Sequence, residues 1–369
     1  MSKIVAVTTA VPSNRVTQEE VRDLARLHFA PALPGIERYL SIFRHAKIDT
    51  RYFAAPLEWF AEPRSFKDCN DRFIDEAVKL GEETALRCLE QAGLAPCDIQ
   101  HLFWVSTTGM AAPSPDAMLI QRLGMDRHTR RTPIWGLGCA GGVAGLARAA
   151  EYVRAFPDQR AMLICVELCS VTFQWDDRSR RNFVAASLFA DGAAAAIVAG
   201  NSVALADRGA AVAADEGGTT IDRERPLTLM GTQSTLWPNT LDVMGWNMID
   251  SGMQVVFSPR IPAIVTELMR DNVAELLAAH GLTLGDIDRW VLHPGGARVI
   301  DAYEAALEVD AAQVASARSV LRDYGNMSSA TIFFVLDAAL RQAPLAEGEH
   351  ALLAVLGPGF SCELALVRG

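Results

Sequence analysis

Apolar side chains recur at helical spacing through residues 18–31 and again through 67–93, where the run from Lys67 to Gln91 stops at Gly93. IVAVTTAV at the N-terminus reads as a first buried strand, and HLFWVSTTG (101–109) as an apolar strand running into a polar turn. MAAPSPDAMLIQRLG (110–124) gives a Pro-marked loop followed by an amphipathic helix. In TPIWGLGCAGGVAGLARAAEYVR (132–154) an apolar approach reaches Gly138 and Cys139, and apolar residues at helical spacing follow, which predicts strand, tight turn and helix. Strand AMLICVEL (161–168), the polar loop around WDDRSRRN (175–182) and the glycine-broken FADGAAAAIVAG (189–200) close the first half of the chain.

The second half repeats this plan. CLEQAGLAPCDIQHLFWVSTTG (88–109) aligns with the stretch from Leu276, pairing Leu89 with Leu277, Gly93 with Gly281, Asp98 with Asp286 and Ile99 with Ile287, each at an offset of 188. Gly138-Cys139 then aligns with Gly325-Asn326 at offset 187, and RAMLICVE (160–167) with HALLAVLG (350–357) at offset 190. Three blocks in one order and nearly one spacing indicate a duplicated α/β unit, with halves 1–203 and 204–369 sharing a core. Equivalent helix N-termini face each other across such a pseudo-twofold. Cys139 and Asn326 are therefore expected as neighbours, with His293 at the end of the strand equivalent to the one that ends at Thr107.

Composition narrows the functional classes. Half of the 369 residues are hydrophobic and 21% charged, with no apolar run long enough to span a bilayer, so no stable membrane insertion is expected. A net charge of -10 gives no general attraction to nucleic acid. The seven cysteines, at 69, 88, 97, 139, 165, 169 and 362, form no CxxC pair and are odd in number, which points to reduced thiols and a cytoplasmic location. Cys165 and Cys169, four apart but with no histidine nearby, read as core packing rather than a metal site.

Cys139 stands at a predicted helix N-terminus, where free N–H groups and the helix dipole favour an anion and activate a thiol. Read alone, the stretch fits a buried packing cysteine equally well. A histidine and an asparagine brought to the same place from distant positions supply what a nucleophilic thiol needs.

Gly138-Cys139-Ala140, His293-Pro294-Gly295-Gly296, Gly325-Asn326-Met327-Ser328-Ser329-Ala330 and Gly357-Pro358-Gly359-Phe360 resemble, in order and over essentially the whole chain, the type III polyketide synthases. These are the chalcone-synthase-like members of the thiolase-fold condensing enzymes. The resemblance implies a five-layered αβαβα fold with a mixed sheet in each half. It implies that Cys139 takes a starter acyl group from CoA, with cationic His293 stabilising the thiolate, and that His293 Nε2 and the Asn326 amide stabilise the enolate left when malonyl-CoA loses carbon dioxide. No metal or redox cofactor is implied, the CoA thioesters being substrates.

Further positions follow from the same resemblance. Phe189 matches a gatekeeping phenylalanine, and Val255 stands where chalcone synthases carry a second one, which widens the cavity entrance. Thr107, Glu167 and Ser328 match residues that hold a water near the thioester, and Gly357, Pro358 and Gly359 border the cavity. Cys169 and Thr172 match cavity-lining positions, with a small thiol as in bacterial members that accept long acyl chains through a side tunnel. Ala112, before Pro113, matches a residue that reaches into a partner subunit's cavity, often beside a cis peptide, which implies a homodimer. Arg38, Arg44, His45 and Arg298 are candidate CoA-binding cations, a solvated helix face being the competing reading for the first three. Trp246 and Trp135 either narrow the cavity or merely wall it. The expected reaction is repeated condensation of malonyl-CoA onto a medium- or long-chain fatty acyl-CoA, giving alkylpyrones or alkylresorcinols. Its rivals are a malonyl-CoA-primed aromatic synthase, a single condensation of the ketoacyl synthase III kind, and a binding or scaffold subunit that has lost catalysis. Ketoacyl synthases of that kind usually carry HQAN where this chain has HPGG.

Overall fold

A computed structural model describes residues 2–203, 221 and 226–369, so the boundary between the halves at 203/204 falls where described residues end. The first half comprises β1 (Ser2–Ala10), β2 (Asn14–Thr17), α1 (Gln18–Phe29), α2 (Ser41–His45), β3 (Thr50–Phe53), α3 (Phe66–Ala92), β4 (His101–Val105), α4 (Pro115–Arg122), β5 (Arg130–Ile134), α5 (Gly141–Ala155), β6 (Arg160–Leu168), α6 (Arg180–Leu188) and β7 (Asp191–Ala199). The second comprises β8 (Leu227–Leu236), β9 (Met244–Ile249), β10 (Gly252–Phe257), α7 (Ile261–Ala279), β11 (Arg289–Leu292), α8 (Ala297–Leu307), α9 (Ala315–Tyr324), α10 (Thr331–Gln342), β12 (His350–Gly357) and β13 (Ser361–Arg368).

Local chemistry accounts for the helix limits. Thr17 and Ser65 open α1 and α3 as capping boxes closed by Glu20 and Asp68, and Gly93 ends α3 in the left-handed conformation. One segment departs from expectation. Residues 180–188, partly read as polar loop, form α6, capped by the Ser179 hydroxyl, which accepts from the Asn182 N–H.

The strands join in the order β11-β12-β13-β8-β1-β7-β6-β4-β5. Within the first half β4 runs parallel to β5 and β6 while β6, β7 and β1 are antiparallel neighbours; β11, β12, β13 and β8 repeat that pattern, so each half is mixed. The two sheets meet through three residue pairs between β1 and β8. α3 covers the outer face of the first sheet, α5 and α10 lie between the sheets, and α7 packs on the second with α8 against it. These are the five layers expected.

The duplication extends to the turns. Asp98 accepts from the Ala95 N–H and Asp286 from the Thr283 N–H, both at 2.8 Å. In the same way the Gln100 N–H reaches the Arg160 carbonyl and the Asp288 N–H that of His350. The structure corrects one pairing. The short 3-10 turns Gly138–Ala140 and Ser328–Ala330 lead into α5 and α10, which makes Ser329 the positional counterpart of Cys139. Asn326 lies three residues earlier, in an extended segment bridged to Phe189.

The N-termini of α5 and α10 touch because Gly142 has no side chain: a Cβ there would sit 2.3 Å from the Ser329 carbonyl oxygen. Gly142→Ala is expected to cost about 1–3 kcal/mol through this overpacking, read as a lowered denaturant midpoint at unchanged slope.

Candidate active site

Cys139 lies in the turn entering α5 and is 8% exposed. The Gly138 N–H donates to Thr107 Oγ1 at 3.0 Å, tying the turn to the end of β4. Gly138 has φ +48°, and a Cβ on it would meet Pro358 Cδ at 2.9 Å, so the Gly357-Pro358-Gly359 segment closes over the thiol's turn. His293 continues β11, its N–H donating to the Ala354 carbonyl at 2.9 Å. The Asn326 backbone is held on both sides: its N–H donates to the Leu188 carbonyl at 3.0 Å, and its carbonyl accepts from the Ala190 N–H at 2.9 Å. Its side-chain amide donates to the Gly295 carbonyl at 3.3 Å while Oδ1 accepts from the Ser328 N–H at 2.9 Å. The histidine loop therefore orients the asparagine.

Cys139, His293 and Asn326 line one cavity of about 340 Å³, walled by Phe189, Met244 and Phe257. Adjoining it, Cys139 shares a second cavity with Thr107, Cys169, Val255, Ser328 and Pro358. Phe189, Val255, Trp246 and Cys169 also border a third, of about 690 Å³, which reaches Thr172 and α1. Phe189 and Val255 thus stand between the thiol and a large apolar pocket. Sequence reasoning named Trp246 as a cavity residue but missed that it faces Val255. Trp246 is its direct cross-strand partner on the β9–β10 hairpin, and its ring packs 6.0 Å from that of Phe189, so an indole borders the space a second phenylalanine would fill. The entrance is not simply widened. Asp250-Ser251-Gly252 between alternating apolar residues was the available hairpin signal. Trp135 is half-exposed and lines none of these cavities.

Electrostatics are governed by burial. It pushes the Cys139 thiol up to about 12, partly offset by Ser328 and Asn326, and pushes the His293 imidazole down to about 3. Among the described residues, neither ring nitrogen of His293 has a hydrogen-bond partner. Burial therefore disfavours the charged form of each group taken alone.

Glu167 does not line these cavities but is fully buried behind Thr107. It accepts from the Thr107 N–H at 3.0 Å, the Thr108 hydroxyl at 2.9 Å and the Ser329 hydroxyl at 2.7 Å. Burial raises it to about 7. A carboxyl raised above its unfolded value of 4.5 stabilises the native state fully below that pH and loses the contribution as pH rises through about 7. Glu167→Gln is expected to reduce the fall in melting temperature across that window. Asp191, also raised to about 7 by burial, leaves part of the slope in place.

A buried arginine, also missed, holds the backbone at Phe189. Arg51 is 0% exposed; Nη1 donates to the Ala186 and Phe189 carbonyls, both at 2.8 Å, and Nη2 to Gln18 Oε1 at 2.6 Å. Nothing in its local sequence signals burial. Ala112 is exposed, in a loop held by reciprocal hydrogen bonds between Asn70 and the Met110 backbone, and its bond to Pro113 is cis. Arg38, Arg44 and His45 lie in and before α2 and Arg298 in the first turn of α8. All four are exposed, and none is ion-paired among the described residues. Also among the described residues, no helix is long and apolar enough to cross a membrane, and no three His, Cys, Asp or Glu side chains converge as metal ligands would.

Two mixed α/β halves with a cysteine entering the central helix, opposite a histidine and an asparagine from the other half, define the thiolase-like acyl-condensing enzymes. Residues 1–202 match the N-terminal domain and residues 228–369 the C-terminal domain of the chalcone and stilbene synthases. The chain belongs to that family, the type III polyketide synthases, and is an acyltransferase. It is 40% identical to a putative chalcone synthase of Bacillus subtilis, over 99% of this chain and 98% of the relative. A crystal structure of 1,3,6,8-tetrahydroxynaphthalene synthase from Streptomyces coelicolor, a bacterial type III polyketide synthase, superposes with a TM-score of 0.88 at 31% identity, covering 99% of each chain. The alpha-pyrone synthesis polyketide synthase-like Pks18 of Mycobacterium tuberculosis is 29% identical over 98% of this chain and 89% of its own.

Proposed function

We propose that the protein condenses malonyl-CoA repeatedly onto a medium- or long-chain acyl-CoA held as a Cys139 thioester, releasing alkylpyrones or alkylresorcinols. The observation that carries this reading is the pocket beyond Phe189, Trp246 and Val255, whose predominantly apolar lining suits a hydrocarbon chain. In the proposed cycle His293 accepts the thiol proton as Cys139 attacks the starter thioester and passes it to the CoA thiolate that leaves. Malonyl-CoA then loses carbon dioxide, and His293 and Asn326 donate hydrogen bonds to the enolate oxygen. The enolate carbon attacks the Cys139 thioester, transferring the lengthened chain to CoA and freeing the thiol. CoA thioesters are the substrates; the cycle needs no metal or redox cofactor. Arg38, Arg44, His45 and Arg298 are exposed, make no ion pair among the described residues, and are available to CoA phosphates. Exposed Ala112 and the solvent-facing edge strand β5 support a homodimer in which a second copy covers this face. Seven free cysteines fit a cytoplasmic location.

Similarity to a tetrahydroxynaphthalene synthase favours a second reading, an aromatic synthase primed by malonyl-CoA itself. Product masses after incubation with malonyl-CoA and acyl-CoA starters from acetyl to stearoyl separate the two. Triketide and tetraketide masses from long starters are expected, with Val255→Phe shifting the optimum to shorter chains. Products formed only from malonyl-CoA would replace the first reading by the second.

A further inference from the structure

The large pocket runs along α1, on whose buried face Gln18, Val21, Ala25 and His28 follow at helical spacing. Gln18 marks the gate end: Arg51 links it to the carbonyl of Phe189. His28 lies ten residues further on, about 15 Å along the axis at the rise of an α-helix. It is 7% exposed, with the rings of Phe29, Phe173 and Trp175 at 4.8, 5.3 and 4.3 Å. It faces the pocket, and among the described residues neither ring nitrogen makes a hydrogen bond of sound geometry, although the Trp175 backbone lies close enough to act on the ring.

A plain hydrocarbon tail filling the pocket would leave this imidazole buried against methylene groups. Polar groups are retained in such surroundings at a cost unless something pairs with them. Burial and nearby Arg178 hold the ring neutral, leaving one nitrogen to donate and the other to accept, a set that suits a hydroxyl. Asp176 also acts on the ring and disfavours a carboxylate there. Resting on the acyl-starter reading above, we infer that His28 is a specificity-determining residue that recognises a hydroxyl carried on the starter chain remote from its thioester, so that hydroxyacyl-CoA is the preferred starter class.

The test compares kcat/KM of the full-length enzyme for plain and terminally hydroxylated acyl-CoA of equal length, along a ladder of lengths, in wild type, His28→Leu and His28→Gln. At the length that reaches His28, wild type is expected to favour the hydroxylated chain by about two- to tenfold, the factor one net hydrogen bond supplies. His28→Leu should prefer the plain chain, and His28→Gln should recover part of the original preference. Each preference is a ratio within one enzyme, so a lowered folded fraction in a variant cancels. Preference for plain chains at every length in wild type, or an unchanged ratio in His28→Leu, overturns the assignment while leaving the acyl-starter reading intact. Extension of neither chain, with products from malonyl-CoA alone, overturns both.

Discussion

Cys139→Ala is expected to abolish polyketide formation, with product from any acyl-CoA falling by more than about 10³-fold. The proposed carbon–carbon bond forms on a thioester, and Cys139 is the thiol that shares a cavity with His293 and Asn326. The other buried thiols do not share that cavity: Cys88, Cys165, Cys169 and Cys362 stand elsewhere, and burial raises each of them. The variant should keep its fold, because alanine fills most of the cysteine's place. Decarboxylation of malonyl-CoA, which depends on the hydrogen-bond donors rather than the thiol, should persist in part. Carbon dioxide release and product mass measured side by side check both halves of the statement. Full product from Cys139→Ala would remove the thioester from the mechanism.

The second large effect is expected at His293. His293→Ala should lower kcat about 10²- to 10³-fold, the cost of losing one donor to a developing oxyanion, and should slow decarboxylation as well as condensation. It should also alter the thiol itself. Burial pushes Cys139 up to about 12, so a thiol without its proton acceptor reacts with iodoacetamide at a rate that keeps climbing with pH and shows no plateau below about pH 9. In the proposed mechanism, transfer of the proton to His293 supplies thiolate at lower pH in the wild type, and the rate should level off earlier. Asn326→Ala separates the two roles, since it should impair decarboxylation while keeping the early plateau. Identical alkylation profiles in wild type and His293→Ala would take His293 out of thiol activation.

Much of the scaffold was legible because it is written in short-range chemistry. The helical period of 67–93 and its Gly93 stop lie within one stretch of chain. The duplication was legible for the same reason, since equal turns such as 95–98 and 283–286 need equal local residues. Reading failed where a neighbour from far along the chain decides the outcome. α6 begins with three polar residues, Arg180, Arg181 and Asn182, which continue the polar stretch from Trp175, so its start looked like a loop; it packs against α1. Asn326 was placed next to the thiol from an alignment with Cys139, yet it reaches the site from an extended segment clipped to 188–190.

The sequence by itself determined the family, the two-half architecture and the chemically capable residues Cys139, His293 and Asn326, because motifs, caps and periodicity are properties of contiguous residues. Only the tertiary structure decided what each group experiences. Trp246 faces Val255 across a hairpin, Arg51 is stripped of water to hold the Phe189 carbonyl, Glu167 is closed in by Thr107, Thr108 and Ser329, and His28 stands in the wall of an apolar pocket. Desolvation and hydrogen-bond partnership set the charge state and reach of such groups. Both arise from residues that meet only when the chain has folded.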